Sequence, residues 1–271
     1  MTHLTIRAAV LVLGIAPSVA VAQPTRAPDV HFVPTPMDVV DAMLAVARVS
    51  KTDRLFDLGS GDGRIVITAA KRFGTRGTGI DIDPQRITES RRNADTAGVT
   101  RLVEFRQADL FQADLREASV VTLYLLPRLN VQLRPKLFAE LRPGSRVVSH
   151  AFDMGDWESD STQSLNGRMV YYWVIPAKVD GTWTVTAPSG GADRTFELRL
   201  TQTYQRLAGT ALTGNRPFTV DSARVLGDSV MFTLAEQGGS QRLRFAGRLD
   251  GGSIAGSLIG APGSWRATRR P

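Results

Sequence analysis

The sequence predicts an α/β fold, a parallel sheet with helices on both faces, followed by a small all-β C-terminal domain. Two observations favour this fold class. Between residues 54 and 151, short apolar runs of strand length alternate with segments of helical periodicity, which is typical of a parallel sheet covered on both faces. From Gly181 onward the helical periodicity ends, and short strand-like runs are separated by glycine-rich turns.

Residues 1–22 have the pattern of a secretory signal peptide: a basic residue, the apolar run 8–16, and the small residues Ala20-Val21-Ala22 before Gln23. The apolar run is shorter than the roughly 20 residues that a membrane-spanning helix needs. We therefore expect cleavage before Gln23, no stable membrane span, and a periplasmic or secreted protein. A misassigned start would instead leave the protein cytoplasmic. The polar, proline-bearing residues 23–31 indicate a linker.

Residues 32–178 are assigned to the α/β domain. An amphipathic helix over 38–49 precedes the first strand. The strands expected after it are 54–58, 77–82, 102–107, 120–125, 146–151 and 169–175, with a short strand near 161–165, and the helices are 64–73, 84–97 and 129–141. Pro84 stands at the first position of its helix, where proline fits because its ring fixes a helical φ.

Residues 179–271 are expected to form an antiparallel β-rich domain, either a small barrel or a sandwich. Its expected strands are 183–186, 196–201, 208–212, 222–226, 230–234, 242–249 and 253–259. Near its two ends, Gly181-Thr182-Trp183 and Trp265-Arg266 resemble the Trp and Arg that close lipocalin-like barrels.

The composition excludes several kinds of chemistry. The chain has no Cys and three His, which excludes disulfides, thiolate metal sites and Cys nucleophiles. Because His3 lies in the leader and His31 in the linker, no metal site is expected. The net charge of +7 permits nucleic-acid binding, but the basic residues are scattered and no dense basic run indicates it.

The most informative segment is Asp57-Leu58-Gly59-Ser60-Gly61-Asp62-Gly63, between the first strand and the first helix of the alternating region. Glycines let the backbone adopt positive φ and let a ligand approach closely, and the helix start offers unpaired N–H groups. The dinucleotide fingerprint G-x-G-x-x-G requires its third glycine at the position that Arg64 occupies. The spacing therefore indicates a cofactor loop of another kind.

Two carboxylates follow the next two strands. Asp81 ends the second strand, where it can accept two hydrogen bonds from ribose hydroxyls. Asp83 is expected to cap the helix that begins at Pro84. Asp109 ends the third strand, and its alternative interpretation is a helix N-cap.

The loop from Asp57 to Gly63 resembles motif I of the class I S-adenosylmethionine-dependent methyltransferases. This resemblance implies a Rossmann-like sheet and S-adenosylmethionine as the cofactor. It further implies that Asp57 contacts the ammonium group of the donor, that Asp81 binds the ribose and that Asp109 faces the adenine amino group. The expected cofactor-binding residues are Thr35, Asp57, Gly59, Ser60, Gly61, Gly63, Asp81 and Asp109.

A more specific resemblance covers residues 32–176. Val33-Pro34-Thr35-Pro36, Tyr124-Leu125-Leu126-Pro127 and Ser149-His150-Ala151-Phe152-Asp153 look like the lysine N-methyltransferase family that includes the ATP synthase c-subunit and adenine nucleotide translocator enzymes. The resemblance implies a protein lysine as the substrate and places the Thr35 hydroxyl near the donor carboxylate.

The candidate catalytic residues are Tyr124, His150 and Asp153. Many amino-methylating enzymes carry Asn-Pro-Pro-Tyr where this chain has Tyr124 to Pro127, so orientation of the amine falls to Tyr124 or to main-chain carbonyls. His150 and Asp153 follow the fifth strand near the same rim, where they could accept a proton or hold the substrate.

Two alternatives to the lysine methyltransferase hypothesis stay open. The fold could be a scaffold without catalysis, with the β-rich domain binding an envelope component. A nucleic-acid methyltransferase is weakened by the missing Asn/Asp-Pro-Pro signature.

Overall fold

A computed structural model describes residues 27–189 and 191–270, so the predicted signal peptide lies outside the described residues. The described chain forms a seven-stranded sheet with helices and a closed eight-stranded β-barrel. The predicted fold class, an α/β sheet followed by an all-β domain, is confirmed. Residues 175–180 connect the two parts.

The seven-stranded sheet has the order β3-β2-β1-β4-β5-β7-β6. Its strands are β1 (Arg54–Leu58), β2 (Arg76–Asp81), β3 (Val103–Gln107), β4 (Val120–Leu123), β5 (Arg146–His150), β6 (Ser161–Leu165) and β7 (Arg168–Val174). The first five strands are parallel, whereas β7 is antiparallel to both β5 and β6. The sheet is therefore mixed rather than purely parallel, because a two-residue turn joins β6 to β7 as a hairpin.

Four helices connect and cover these strands: α1 (Met37–Val46), α2 (Arg64–Phe73), α3 (Pro84–Thr96) and α4 (Pro127–Glu140). The Asp83 carboxylate accepts a hydrogen bond from Gln85 N at 2.7 Å, which confirms the predicted cap of α3. Helix α4 begins at Pro127, two residues before the predicted start, because proline fits the first helical position.

The carboxyl ends of the five parallel strands lie at one edge of the sheet. β1 lies between β2 and β4, so the chain order reverses there, and a crevice forms beyond the carboxyl ends of the strands. One apolar cluster on each face of the sheet holds the helices in place. Trp157 and Trp173 are fully buried in one of these clusters, so they serve packing.

The barrel consists of β8 (Gly181–Ser189), β9 (Ala192–Thr203), β10 (Arg206–Thr213), β11 (Arg216–Leu226), β12 (Ser229–Glu236), β13 (Arg242–Asp250), β14 (Ser253–Leu258) and β15 (Ser264–Arg269). Each strand pairs antiparallel with the next, and β15 closes the barrel against β8. Large aromatic side chains fill the interior: Trp183, Phe196, Phe218, Phe232, Phe245 and Trp265. The barrel is therefore a packed core.

Two details of the barrel differ from the prediction. Strand β15 is absent from the expected strands, because only Trp265 and Ala267 of its six residues are buried and its apolar pattern is short. The arginine at Trp183 is Arg269 and not Arg266. The Arg269 guanidinium lies 4.5 Å from the Trp183 ring centre, whereas Arg266 is exposed. Alternation along β15 directs Arg266 away from the interior.

Across residues 27–189 and 191–270, no helix has the length and apolar character needed to cross a membrane.

Candidate active site

A cavity of about 400 Å³ opens at the carboxyl ends of β1 to β4. Residues 27–35, which we name the strap, form one wall, although the sequence indicates a linker over 23–31. The glycine loop after β1 and the residues that follow β2, β3 and β4 form the other walls. The cavity lies where the strand order reverses, the usual ligand site of an open α/β sheet.

The glycine loop has the backbone that its sequence predicts. Gly59, Gly61 and Gly63 have φ values of 79°, 52° and 80°, a region that other residues rarely adopt. A Cβ at Gly61 would overlap the ring of Phe32 in the strap, and a Cβ at Gly63 would lie 2.7 Å from Phe105. Glycine is required here because the strap and the sheet approach the loop so closely.

Asp57 lies buried at the floor of the cavity and accepts a hydrogen bond from the Thr122 hydroxyl at 2.7 Å. Burial raises the pKa of Asp57 to about 7, and the negative charges of Asp81 and Asp62 act in the same direction, while the bond from Thr122 opposes them. A cationic group beside Asp57 would favour its ionised form. The site is therefore built to receive a positive charge.

Ser60 also lines the cavity. Its hydroxyl oxygen is buried and has no hydrogen-bond partner within the described part of the chain. A buried hydroxyl is usually paired, so Ser60 Oγ is available to a bound molecule.

Asp81 and Asp109 lie at the cavity wall, and each also holds backbone N–H groups. Asp81 accepts hydrogen bonds from Gly61 N at 2.8 Å and Asp83 N at 2.9 Å, and burial raises its pKa. Asp109 accepts from Phe111 N at 2.9 Å. In the described chain no helix begins directly after Asp109, so its interpretation as a helix N-cap is wrong; the carboxylate instead holds a turn and lines the cavity.

Tyr124 and Thr35 line the opposite wall, and the buried His150, which does not line the cavity, packs behind them. The Tyr124 and His150 ring centres are 3.9 Å apart, and His150 Nδ1 lies 3.3 Å from Thr35 Oγ1. Burial lowers the pKa of His150, and the positive charge of Arg168 lowers it further, so the imidazole is neutral at neutral pH. Asp153 is exposed, accepts from Gly155 N at 3.1 Å and does not line the cavity.

Three residues that sequence reasoning missed contribute to the site. The Arg64 guanidinium donates to Thr35 O at 2.9 Å and pairs with Asp62 at 2.6 Å, which ties the strap to the glycine loop. Phe32 covers Gly61. Asn130 of α4 is fully buried and donates to Phe152 O and Asp153 O. A polar residue next to Leu129 on the buried face of a helix was the available signal for Asn130.

The charges at the cavity are mostly negative. Six carboxylates and two guanidinium groups line it: Asp29, Asp57, Asp62, Asp81, Asp83, Asp109, Arg64 and Arg86. Both arginines are ion-paired with carboxylates, Arg64 with Asp62 and Arg86 with Glu89 and Asp83. Within the described ranges, no cluster of three or more His, Asp or Glu could hold a metal ion. The acidic lining of the cavity favours a cationic ligand.

The fold and this cavity define a class I S-adenosylmethionine-dependent methyltransferase, and comparisons with known proteins agree. A crystal structure from Salinibacter ruber, described as an RNA methyltransferase in complex with S-adenosyl-L-homocysteine, superposes with a TM-score of 0.54 and 60% identity, over 54% of this chain and 96% of that chain. The cofactor is S-adenosylmethionine. The glycine loop, Asp57 and the Ser60 hydroxyl fit it.

The sequence model of the ANTKMT methyltransferase domain matches residues 57–161. A protein-lysine N-methyltransferase of Saccharolobus islandicus is 44% identical over 153 residues, 55% of this chain and 95% of that protein. The chain belongs to the same methyltransferase family as this Saccharolobus protein. The mouse lysine N-methyltransferase of the ATP synthase c-subunit is 36% identical over 131 residues, and the chain spans about half of its length, 52%.

Proposed function

We propose that this protein transfers the methyl group of S-adenosylmethionine to the ε-amino group of a protein lysine. The observation that carries this proposal is the negative cavity: among the described residues, six carboxylates and two guanidinium groups line it, and Arg64 and Arg86 pair with Asp62 and Asp83 of that lining. This charge attracts the cationic donor and a lysine side chain. It repels the phosphates of a nucleic acid.

The named relatives leave the acceptor to be decided on this chain. The Saccharolobus and mouse proteins are named lysine methyltransferases, whereas the Salinibacter structure is described as an RNA methyltransferase. The net charge of +7 would suit RNA, but it is spread over the chain. The acidic residues of the cavity lie mainly on the donor side, and a phosphate-bearing acceptor would have to approach them, which supports lysine over RNA.

On the donor side, the residues bind and orient. Asp57 is suited to hold a cationic amino group, and Asp81 has acceptor capacity for a pair of hydroxyls beyond its two backbone bonds. The bound cofactor supplies an electrophilic methyl group. What the protein adds is position, because alignment of the two reactants removes much of the barrier to transfer.

On the acceptor side, the Tyr124 ring lines the cavity and is tilted by 36° against the ring of the buried His150. A lysine amine has to be neutral to attack, and the partly apolar wall favours its neutral form. His150 is buried behind Tyr124 and Thr35 and does not line the cavity, so its proposed role is to hold these two residues in position. Asp153, exposed at the rim, is assigned to contact with the acceptor protein rather than to the chemical step.

The test uses purified residues 23–271 with methyl-labelled S-adenosylmethionine and two extracts, one of envelope and one of cytosol, each with and without ribonuclease. We expect label in protein, retained after ribonuclease treatment and recovered as methyl-lysine after hydrolysis. The matched control is Asp81→Ala, which should lose both cofactor binding and label. Label that ribonuclease releases would assign the acceptor to RNA instead. Cofactor binding without label in either extract would favour the scaffold hypothesis.

Export to the periplasm or beyond the cell is part of the proposal. It is supported by the basic, apolar and small-residue pattern of residues 1–22. Intact-mass measurement of the protein from fractionated cells is expected to give an N-terminus at Gln23 in the envelope fraction. Full-length protein confined to the cytosol would refute export.

A further inference from the structure

The turn between β9 and β10 contacts the methyltransferase domain with a strained residue. Tyr204 has a φ of 54°, in the left-handed region where glycine or asparagine is usual for a two-residue hairpin. A residue other than glycine is disfavoured in this conformation because its Cβ crowds the backbone. Such strain persists where surrounding contacts outweigh it. The contacts of Tyr204 and of its neighbour Gln205 should therefore compensate for the strain.

Tyr204 contacts α4 and the loop that follows β5. Its hydroxyl donates to Asp156 Oδ2 at 3.0 Å. Its ring centre lies 5.7 Å from that of Phe138 and 5.2 Å from the guanidinium carbon of Arg134. The side chain that strains the turn is therefore the one that reaches the other domain.

Gln205 is buried, and both the oxygen and the nitrogen of its side-chain amide hydrogen-bond to the same loop. Its Oε1 accepts from Trp157 Nε1 at 2.9 Å, and its Nε2 donates to Glu158 O at 2.6 Å. Trp157 is fully buried, so removal of its partner would leave a buried indole N–H unpaired, which is unfavourable. The barrel thus completes the hydrogen bonding of the loop.

The loop that these residues hold, residues 151–160, begins directly after His150, and its second residue, Phe152, lies beside Tyr124. The Phe152 ring lies 6.3 Å from that of Tyr124. Helix α4 anchors the beginning of the loop through Asn130, and Arg134 donates to Met154 O at 2.8 Å. The loop is therefore held by α4 near the cavity and by the barrel at its far end.

We propose that the turn Tyr204-Gln205 is a positioning element, through which the barrel holds residues 151–160 and so sets the acceptor wall at Tyr124, against which His150 and Phe152 pack. The assignment of this wall to the acceptor rests on the proposed function. The Saccharolobus relative matches only 55% of this chain with 95% of its own length, which leaves no room for a barrel. The contact is thus one that this relative does not share.

The test compares Tyr204→Gly with Asn215→Gly. The first substitution relieves the strained φ and removes the ring and hydroxyl, so the barrel turn itself stays favourable. The second alters the exposed turn between β10 and β11, for which the described part of the chain shows no contact with the methyltransferase domain. Both proteins keep every residue that lines the cavity.

The first readout is amide hydrogen exchange in the full chain with S-adenosyl-L-homocysteine. We expect faster exchange over residues 151–160 in Tyr204→Gly, with rates in Asn215→Gly equal to wild type. The second readout is methyl transfer to poly-L-lysine, where we expect kcat about tenfold lower, KM within twofold and an unchanged cofactor dissociation constant. Amide exchange tests how the turn holds the loop, and methyl transfer by the wild type tests the proposed lysine acceptor.

Unchanged exchange over residues 151–160 in Tyr204→Gly would overturn the inference, whatever the activity. Faster exchange with unchanged kcat would also overturn it, because the loop would then be held without effect on transfer. If wild-type protein methylates RNA and not poly-L-lysine, the lysine proposal fails, and kcat on RNA decides the inference by the same comparison.

Discussion

Replacement of Asp57 by Asn should stabilise the ligand-free protein above neutral pH while it weakens cofactor binding. Asp57 is buried and has a pKa raised to about 7, first by desolvation and then by the charges of Asp81 and Asp62. Asn has nearly the same shape and can accept the bond from Thr122, but it never ionises. The substitution therefore removes a buried charge and leaves the packing in place.

The sign and size follow from proton linkage. The folded-state pKa lies above the unfolded value of 3.8, so the folded state binds more protons between these values. The stability that protonation provides is complete below the unfolded pKa and is lost as pH rises to about 7. Each pKa unit corresponds to about 1.4 kcal/mol, so the wild type loses about 3 kcal/mol between pH 5 and pH 8 through this group.

The assay is denaturant unfolding at both pH values, followed by the helical circular dichroism signal, to which the all-β barrel contributes little. Asp57→Asn should unfold with a free energy that falls by about 3 kcal/mol less than that of wild type from pH 5 to pH 8. Other titrating groups are common to both proteins and cancel. The same pH dependence in both proteins would refute the raised pKa. Calorimetry should meanwhile show weaker binding of S-adenosylmethionine to the variant.

Three further outcomes are expected. Tyr124→Phe should keep the cofactor dissociation constant within twofold but lower kcat about 10- to 100-fold, and an equal loss of both would place the hydroxyl in the cofactor site. Gly61→Ala should weaken cofactor binding in calorimetry, because its φ of 52° and the Phe32 ring leave no room for a Cβ; unchanged binding would contradict this packing. Trp265→Ala should destabilise the barrel by about 3–5 kcal/mol in denaturant unfolding, since the ring packs against Phe232 and Phe245, and a loss below about 1 kcal/mol would contradict a packed interior.

The donor side of the site could be predicted from sequence because its determinants are local. Asp57 and Asp81 each lie at the end of a strand, and the carboxyl ends of parallel strands share one edge of the sheet. The glycine loop and the Asp83 cap are also encoded within a few residues. Patterns of this kind can be recognised in the sequence because neighbouring residues set their geometry, while the surrounding strands and helices determine only where they lie.

Other features depend on contacts that no local pattern contains. The strap has the polar, proline-bearing composition of a linker, and its place along the cavity depends on Arg64, which holds Thr35 O from 29 residues away. Strand β15 is recognisable only once Trp265 is seen to face the barrel interior. Asn130 resembles an ordinary helix residue until the carbonyls of residues 152 and 153 are brought to it.

The acceptor side depends on contacts between residues that are far apart in sequence and lie in different domains. For this reason the relatives say more about the donor site than about the acceptor site. Trp157 finds its partner Gln205 at a separation of 48 residues, in another domain. A relative matched over 55% of this chain shares the sheet and the cofactor loop but not the barrel. In this chain the acceptor wall depends in addition on contacts with the barrel, which lie outside the length that the relative matches. The acceptor has to be determined on the full chain, with the turn Tyr204-Gln205 intact.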